Sequence, residues 1–330
     1  DLSAEDRQTN SDSKVVQCPP SCLPHEECGC RAGTYCLDGE CVCVPYCHWN
    51  DCADDGCGGA CGPCPEGATC VEGSCQFPVC QQNCGDMLHI AAGTFLIGCN
   101  LDLDTMCHEN EYPYHEVYLD AYLIDRTEVT QAAYQECIYA GACELPLDVR
   151  SETFFSPAET PDQPVAGVSA WQSDLYCSWI GKRMPTEAEW EKAARGTDGR
   201  VYPWGNSAPT CELVSMEGDG ASCSPGGPLP VCSRPIGNSP YDVCDLAGNV
   251  SEWVADGYKS DYYSVSPKSN PKGPGTEMNV RVFRGGYYLS LDRGQRVSSR
   301  LGMIPNSGYG RLGFRCARDY APNVIVTPAE

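Results

Sequence analysis

Apolar positions recur at a helical spacing in only three stretches of the chain. The first covers residues 130–140 (TQAAYQECIYA) and follows an extended run, VYLDAYLIDRTEV. The second covers residues 169–180. The third opens at Pro185-Thr186-Glu187, where PTEAEWEKAARG places acids in its first turn, bases in its last and Gly196 as a stop. Elsewhere the pattern breaks into short strands and long loops, among them PWGN and RVFRGG. The fold class predicted for this part is α+β with much irregular structure. Residues 1–17 (opening DLSAEDRQTNSDSK) are polar and aperiodic, and read as a flexible leader of an exported chain after processing. No run of about 18 apolar residues occurs, so no membrane span is expected.

Cysteine spacing divides the chain. Of 26 cysteines, 16 fall between Cys18 and Cys84 and ten are spread over the rest. Thiols at this density persist as disulfides in an oxidising compartment, which places the protein outside the cytosol, extracellular or at a cell surface. The Cys-rich part contains a repeat. Cys30, Cys36 and Cys41 share the spacing C-x5-C-x4-C with Cys64, Cys70 and Cys75, and CRAGTYCLDGEC matches CPEGATCVEGSC. This predicts two small EGF-like or inhibitor-like disulfide modules, residues 18–42 and residues 43–84 with a linking pair, before a larger domain at 85–319 and a tail at 320–330. Such modules bury too little apolar surface to fold without crosslinks. Cys61-Gly62-Pro63-Cys64 has redox-motif spacing, but no strand precedes it and no amphipathic helix follows, so a structural disulfide is expected there.

Acidic residues outnumber basic ones by 45 to 22, a formal charge of −23. That excludes nucleic acid and anionic lipid as partners, since phosphate binding needs a basic surface. The acidity serves solubility, and some carboxylates are candidates for calcium.

Seven blocks, in order from about Gly93 to Arg318, carry a family likeness: GTFLIG, HEVYLDAYLIDRTEVTQAAY, PVAGVSAWQSDLYCSWIGKRMPTEAEWEKAARG, YPWGN, DLAGNVSEWVAD, VRVFRGGYY and RLGFRCAR. Over this span the chain resembles the formylglycine-generating-enzyme (sulfatase-modifying factor) family. The resemblance implies a C-type-lectin-like fold and a Cys177–Cys316 disulfide. Local pairing of Cys99 with Cys107 and Cys137 with Cys143 is expected from proximity in sequence, with two further bridges among Cys211, Cys223, Cys232 and Cys244. Trp171, Trp190, Trp204 and Trp253 are expected as core anchors.

The resemblance also implies where chemistry would sit. The family's copper-binding cysteine pair falls on Ser290 and Gln295, which supply no thiolate. No copper and no formylglycine-generating activity are therefore expected. His108 and His115 lack the spacing of a helical metal pair, and His115 is assigned a structural role. Calcium is expected on the turn Ala247, Gly248, Asn249, Val250 and Glu252, with a weaker second group at Glu212 and Leu213. Asn249 also opens a glycosylation sequon, inside a turn expected to be buried. Tyr258, Tyr262 and Tyr263 are candidate contact residues for a glycan or protein.

These readings favour a non-catalytic binding or assembly protein whose partner is a protein or glycan at a cell surface, copies of itself included. A structural subunit of a surface filament or complex is one alternative, with the tail segment NVIVT as an added strand. A metal-dependent oxidase of a peptide residue is the other, and it needs a ligand set not found in the sequence.

Overall fold

A computed structural model describes residues 86–147, 155–218, 222–224, 226–275 and 279–320, with the backbone of four strands nearer the N-terminus. The chain divides into two compact units, Asp1–Pro78 and Val79–Glu330. The leader, the tail beyond Tyr320, the Cys61/Cys64 motif and the pairing of the first 16 cysteines lie outside the described residues.

In the first unit, β1 (Thr34–Leu37) pairs antiparallel with β2 (Glu40–Cys43), placing Cys36 opposite Cys41. The pair β3 (Thr69–Val71) and β4 (Ser74–Gln76) repeats this with Cys70 opposite Cys75. The repeat in the sequence is thus a repeat in strand pairing.

The second unit has mixed α/β architecture with few regular elements. β5 (Met87–Ile90), β8 (Tyr122–Asp125) and β13 (Ala317–Asp319) form a sheet in the order β13-β8-β5. β6 (Gly93–Ile97) and β7 (His115–Leu119) form a hairpin. The third sheet has the order β11-β10-β9-β12, from β9 (Ser251–Gly257), β10 (Arg281–Arg284), β11 (Arg300–Met303) and β12 (Leu312–Phe314). In it β12 runs parallel to β9, and this brings the block RLGFRCAR beside the first strand of the sheet. No helix among the described residues is long and apolar enough to cross a membrane.

The helices are α1 (Gln131–Tyr139), α2 (Ala170–Trp179) and α3 (Glu187–Arg195). Each begins at a hydroxyl cap: Thr130, Ser169 and Thr186 accept from the backbone N–H three residues on. Gln172 and Glu189 complete capping boxes by reaching back to the cap N–H. All of α3 is buried, including Glu187, Glu189, Glu191, Lys192 and Arg195. Its charges are matched inside the fold. Glu187 meets Arg300 at 2.7 Å, Glu189 meets Arg183 at 2.7 Å and Glu191 pairs with Arg284. Lys192 donates to the carbonyls of Ala91 and Gly93. Loss of one partner here leaves an uncompensated buried charge, which costs about 3–5 kcal/mol.

Trp190 and Trp253 are fully buried and anchor two neighbouring apolar clusters. Trp171 does not serve as a core anchor, and Trp204 packs at the edge of a small cluster of Val214, Met216 and Ala247. Trp171 is 47% exposed and lies over the Arg281 guanidinium, because its position on α2 faces outward. Trp204 is half-buried and stacks on Tyr202 at 5.0 Å. Among the described residues of this unit, five disulfides join ten cysteines: Cys99–Cys107, Cys137–Cys143, Cys177–Cys316, Cys211–Cys223 and Cys232–Cys244.

Candidate functional site

β10 is followed by Gly285 and Gly286, both at positive φ (90° and 67°). A Cβ on Gly286 would meet the Gly294 carbonyl oxygen at 2.7 Å, so only glycine lets the chain pass here. The doublet opens a turn that closes on itself. Tyr287 N–H donates to Ser290 Oγ at 3.0 Å, and Ser290 N–H returns to the Tyr287 carbonyl at 2.7 Å. Ser251, at the start of β9, donates its hydroxyl to the Gly286 carbonyl at 2.8 Å. Between these elements lies a cavity of about 60 Å³ lined by Ser251, Phe283, Gly285, Gly286, Ser290 and Leu301. Two half-buried side chains, Phe283 and Tyr287, and the exposed Leu301 line its apolar part.

Gln295 is fully buried beside this turn, and its Nε2 donates to the Ser290 carbonyl at 3.1 Å. Its Oε1 has no hydrogen-bond partner. Ser290 and Gln295 therefore stand as an oxygen and an amide at the positions where the copper thiolates were sought. All ten cysteines among the described residues are bridged, so none of them offers a thiolate to a soft ion. The next residue, Arg296, is buried and forks onto Glu111 at 2.7 Å, with Asp104 at 2.8 Å, which pins the far end of the turn.

The turn at residues 247–252 lies close by, since Gly248 N–H donates to the Gly285 carbonyl at 2.8 Å. Asn249 adopts φ 53° and is buried; its amide donates to Glu128 at 2.7 Å and accepts from Leu229 N–H at 2.9 Å. This makes the sequon asparagine a structural residue with no room for a glycan. Glu252 gives both carboxylate oxygens to Arg315 at 2.7 Å, and one also accepts from the Trp190 indole at 2.8 Å. The carboxylate expected to hold calcium is thus engaged by a guanidinium. Glu128 accepts from Val250 N–H at 3.2 Å and brings a second carboxylate to the same turn. Burial pushes Glu128 well above the ordinary carboxylate range, and the neighbouring Asp245 and Glu252 add to this. Asp245 is likewise pushed up by burial. Three carboxylates here face one fully buried arginine. Glu212 is exposed, and the Leu213 carbonyl is pressed against Gly237.

The three candidate contact tyrosines face inward. Tyr262 and Tyr263 are buried, and Tyr258 is partly buried. Tyr263 stacks 4.4 Å from Arg300 and donates to Glu191 at 3.2 Å; Tyr262 accepts from Gly273 N–H at 3.0 Å; Tyr258 accepts from Asn110 at 3.0 Å. Their loop packs on Glu191 of α3 and on Arg300, which takes Tyr262 and Tyr263 off the surface and leaves Tyr258 half-buried. His115 bridges Pro113 O at 2.7 Å and Ser266 Oγ at 2.8 Å, and His108 meets Arg293. A partly exposed aromatic group lies elsewhere, where Arg311 sits 4.8 Å from the Tyr287 ring and 5.7 Å from that of Tyr309.

The family model for the sulfatase-modifying factor enzyme 1-like domain matches residues 74–320. The chain belongs to the sulfatase-modifying factor family. The formylglycine-generating enzyme of Streptomyces coelicolor is 42% identical over 172 residues, 48% of this chain and 54% of that enzyme. The chain thus spans about half of that relative's length. Inactive C-alpha-formylglycine-generating enzyme 2 of Bos taurus is 38% identical over 165 residues, 47% of this chain and 50% of that protein. Among solved structures, PvdO from Pseudomonas aeruginosa superposes with a TM-score of 0.62 at 25% identity, covering 74% of this chain and 97% of that one. The formylglycine-generating-enzyme fold, which is C-type-lectin-like, is therefore the architecture of the second unit. Relatives of this fold include enzymes and a protein named as inactive, so family membership leaves catalysis to the side chains at the Gly285–Gly286 turn.

Proposed function

We propose that this chain is a non-catalytic, exported recognition protein that uses the formylglycine-generating-enzyme scaffold to grip a protein partner in the cleft over Gly285–Gly286. The observation that carries this reading is Gln295. Its buried amide ties down the turn at a position where the enzyme chemistry requires a thiolate, and Ser290 replaces the other. A cavity remains, bounded by a rigid backbone and opening beside apolar side chains, and such concavities suit recognition. Five crosslinks among ten cysteines favour an oxidising compartment.

The test is direct. The purified full chain is loaded with Cu(I), freed of excess metal, and given a cysteine-containing peptide, a thiol reductant and oxygen. We expect no retained copper and no peptide aldehyde by mass spectrometry. Near-stoichiometric copper with thiol-dependent oxygen uptake would return the oxidase reading to first place.

For calcium, the narrower proposal is a site using Ala247, Gly248 and Val250 carbonyls with Glu128, since Glu252 is committed to Arg315. The shortage of positive charge around Glu128, Asp245 and Glu252 supports it.

A further inference from the structure

Acids outnumber bases two to one in this chain, and its buried arginines show the consequence. Arg284, Arg296, Arg300 and Arg315 each meet a carboxylate inside the fold. Arg311 does not. No carboxylate among the described residues lies within ion-pair distance of it. Its Nη1 donates instead to the Tyr287 hydroxyl at 2.7 Å and, at 3.5 Å, to that of Tyr309. Phenols orient a guanidinium without neutralising it, so the charge is held in place with no carboxylate among the described residues to match it.

The position of this cation is also specific. Arg311 precedes β12, and its carbonyl accepts from Ser251 N–H at 2.9 Å. Ser251 and Tyr287 both line the 60 Å³ cavity, so one backbone bond and one side-chain bond fix Arg311 to the cavity wall. Tyr309 is 42% exposed, and Arg311 itself is half-buried, so the guanidinium is reachable from solvent.

We propose that Arg311 is the receptor for a carboxylate on the polypeptide partner, set beside a cavity that takes a short uncharged side chain from the same segment. The inference rests on the cleft reading above and names the chemistry that the cleft selects. The cavity volume corresponds to about two waters, which suits a short side chain such as Ala, Ser, Thr or Val. The exposed Leu291 and Leu301 give the surroundings an aliphatic character that fits a peptide better than a sugar. A guanidinium fork meets a carboxylate through two charge-assisted hydrogen bonds.

The test uses an array of short peptides that place Ala, Ser, Thr or Val next to Asp, Glu, Asn or Gln. All are amidated, and the Asn and Gln peptides are also printed with a free C-terminal carboxylate. The array is probed with the full chain, Arg311→Gln, Arg311→Lys and Leu301→Asp, with thermal melts confirming that each variant folds. Peptides bearing a carboxylate should bind the native chain, and Arg311→Gln should weaken them about 10- to 100-fold. Arg311→Lys should recover part of the loss, and Leu301→Asp should abolish binding. The arm that binds distinguishes an acidic side chain from a chain terminus. Binding that is lost in Leu301→Asp but indifferent to peptide charge and to Arg311 overturns the carboxylate receptor while the cleft reading stands. No Leu301-dependent binding by any peptide overturns both.

Discussion

Replacing Cys177 and Cys316 together by Ala opens a loop of 139 residues in the unfolded chain. The chain-entropy relation assigns such a crosslink about 5 kcal/mol at 25 °C. The same relation gives about 3 kcal/mol for Cys211–Cys223, whose loop is 12 residues. Packing widens the gap. Cys177 and Cys316 are fully buried in the cluster that holds Trp253, whereas Cys211 is exposed, so only the first pair leaves a cavity when truncated. The Cys177/Cys316 double variant should therefore lose at least about 2 kcal/mol more than the Cys211/Cys223 double variant. The assay is equilibrium unfolding of the full chain in guanidinium chloride, followed by the fluorescence of the buried Trp190 and Trp253. Equal losses in the two variants, or a larger loss for the loop bridge, would refute the reasoning. That result would mean that native-state strain or residual unfolded structure, not loop closure, governs these bridges.

Asp256 is buried against Glu187, whose N–H it accepts at 2.7 Å, and burial holds its carboxyl well above the usual carboxylate range, with Glu187 adding to the effect. The native state therefore binds a proton that the unfolded chain has released, and stability falls as pH rises from the ordinary carboxylate value of about 4 through the raised native one. Asp256→Asn should flatten that slope, so its melting temperature rises relative to the native chain between acid and neutral pH; parallel curves would count against a buried proton. For the proposed calcium site, calcium at 100 times its dissociation constant should add about 2.7 kcal/mol, reversed by chelator and absent in Glu128→Gln. A melting temperature indifferent to calcium would remove the site.

The legible parts of this chain are those where a local rule and a tertiary one agree. The three helices follow from capping residues and apolar spacing, and Thr186 with Glu189 forms the box that the text PTEAE announces. The Gly285-Gly286 doublet reads as a close approach, and the Gly294 carbonyl lies where a Cβ would go. The tyrosine-rich loop misleads for a physical reason. Tyrosine density marks both contact surfaces and the packing of aromatic rings on buried guanidinium groups, and Arg300, distant in sequence, decides between them. Trp171 misleads in the opposite direction, because its helix position faces outward while its residue type suggests the core. Arg311 gives no local signal at all. Only the parallel pairing of β12 with β9 sets it beside Ser251 and the cavity.

The same topology explains how the fold tolerates change at its chemical site. The backbone around the cleft is held by buried ion pairs, and of their arginines Arg284 also lines the cavity. Glu191 holds Arg284 at the end of β10, Glu252 holds Arg315 after β12, and Glu111 holds Arg296 at the end of the turn. Each arginine also donates to backbone carbonyls or a second acid, so buried charge sets the ends of residues 285–296 while Ser290 and Gln295 hold the turn between them. The turn is held with a hydroxyl at residue 290 and an amide at residue 295 in place of thiolates. On the proposed reading, what the cleft offers a partner is its shape and charge, and in an acid-rich chain an arginine with no carboxylate among the described residues in ion-pair distance is the group best suited to that.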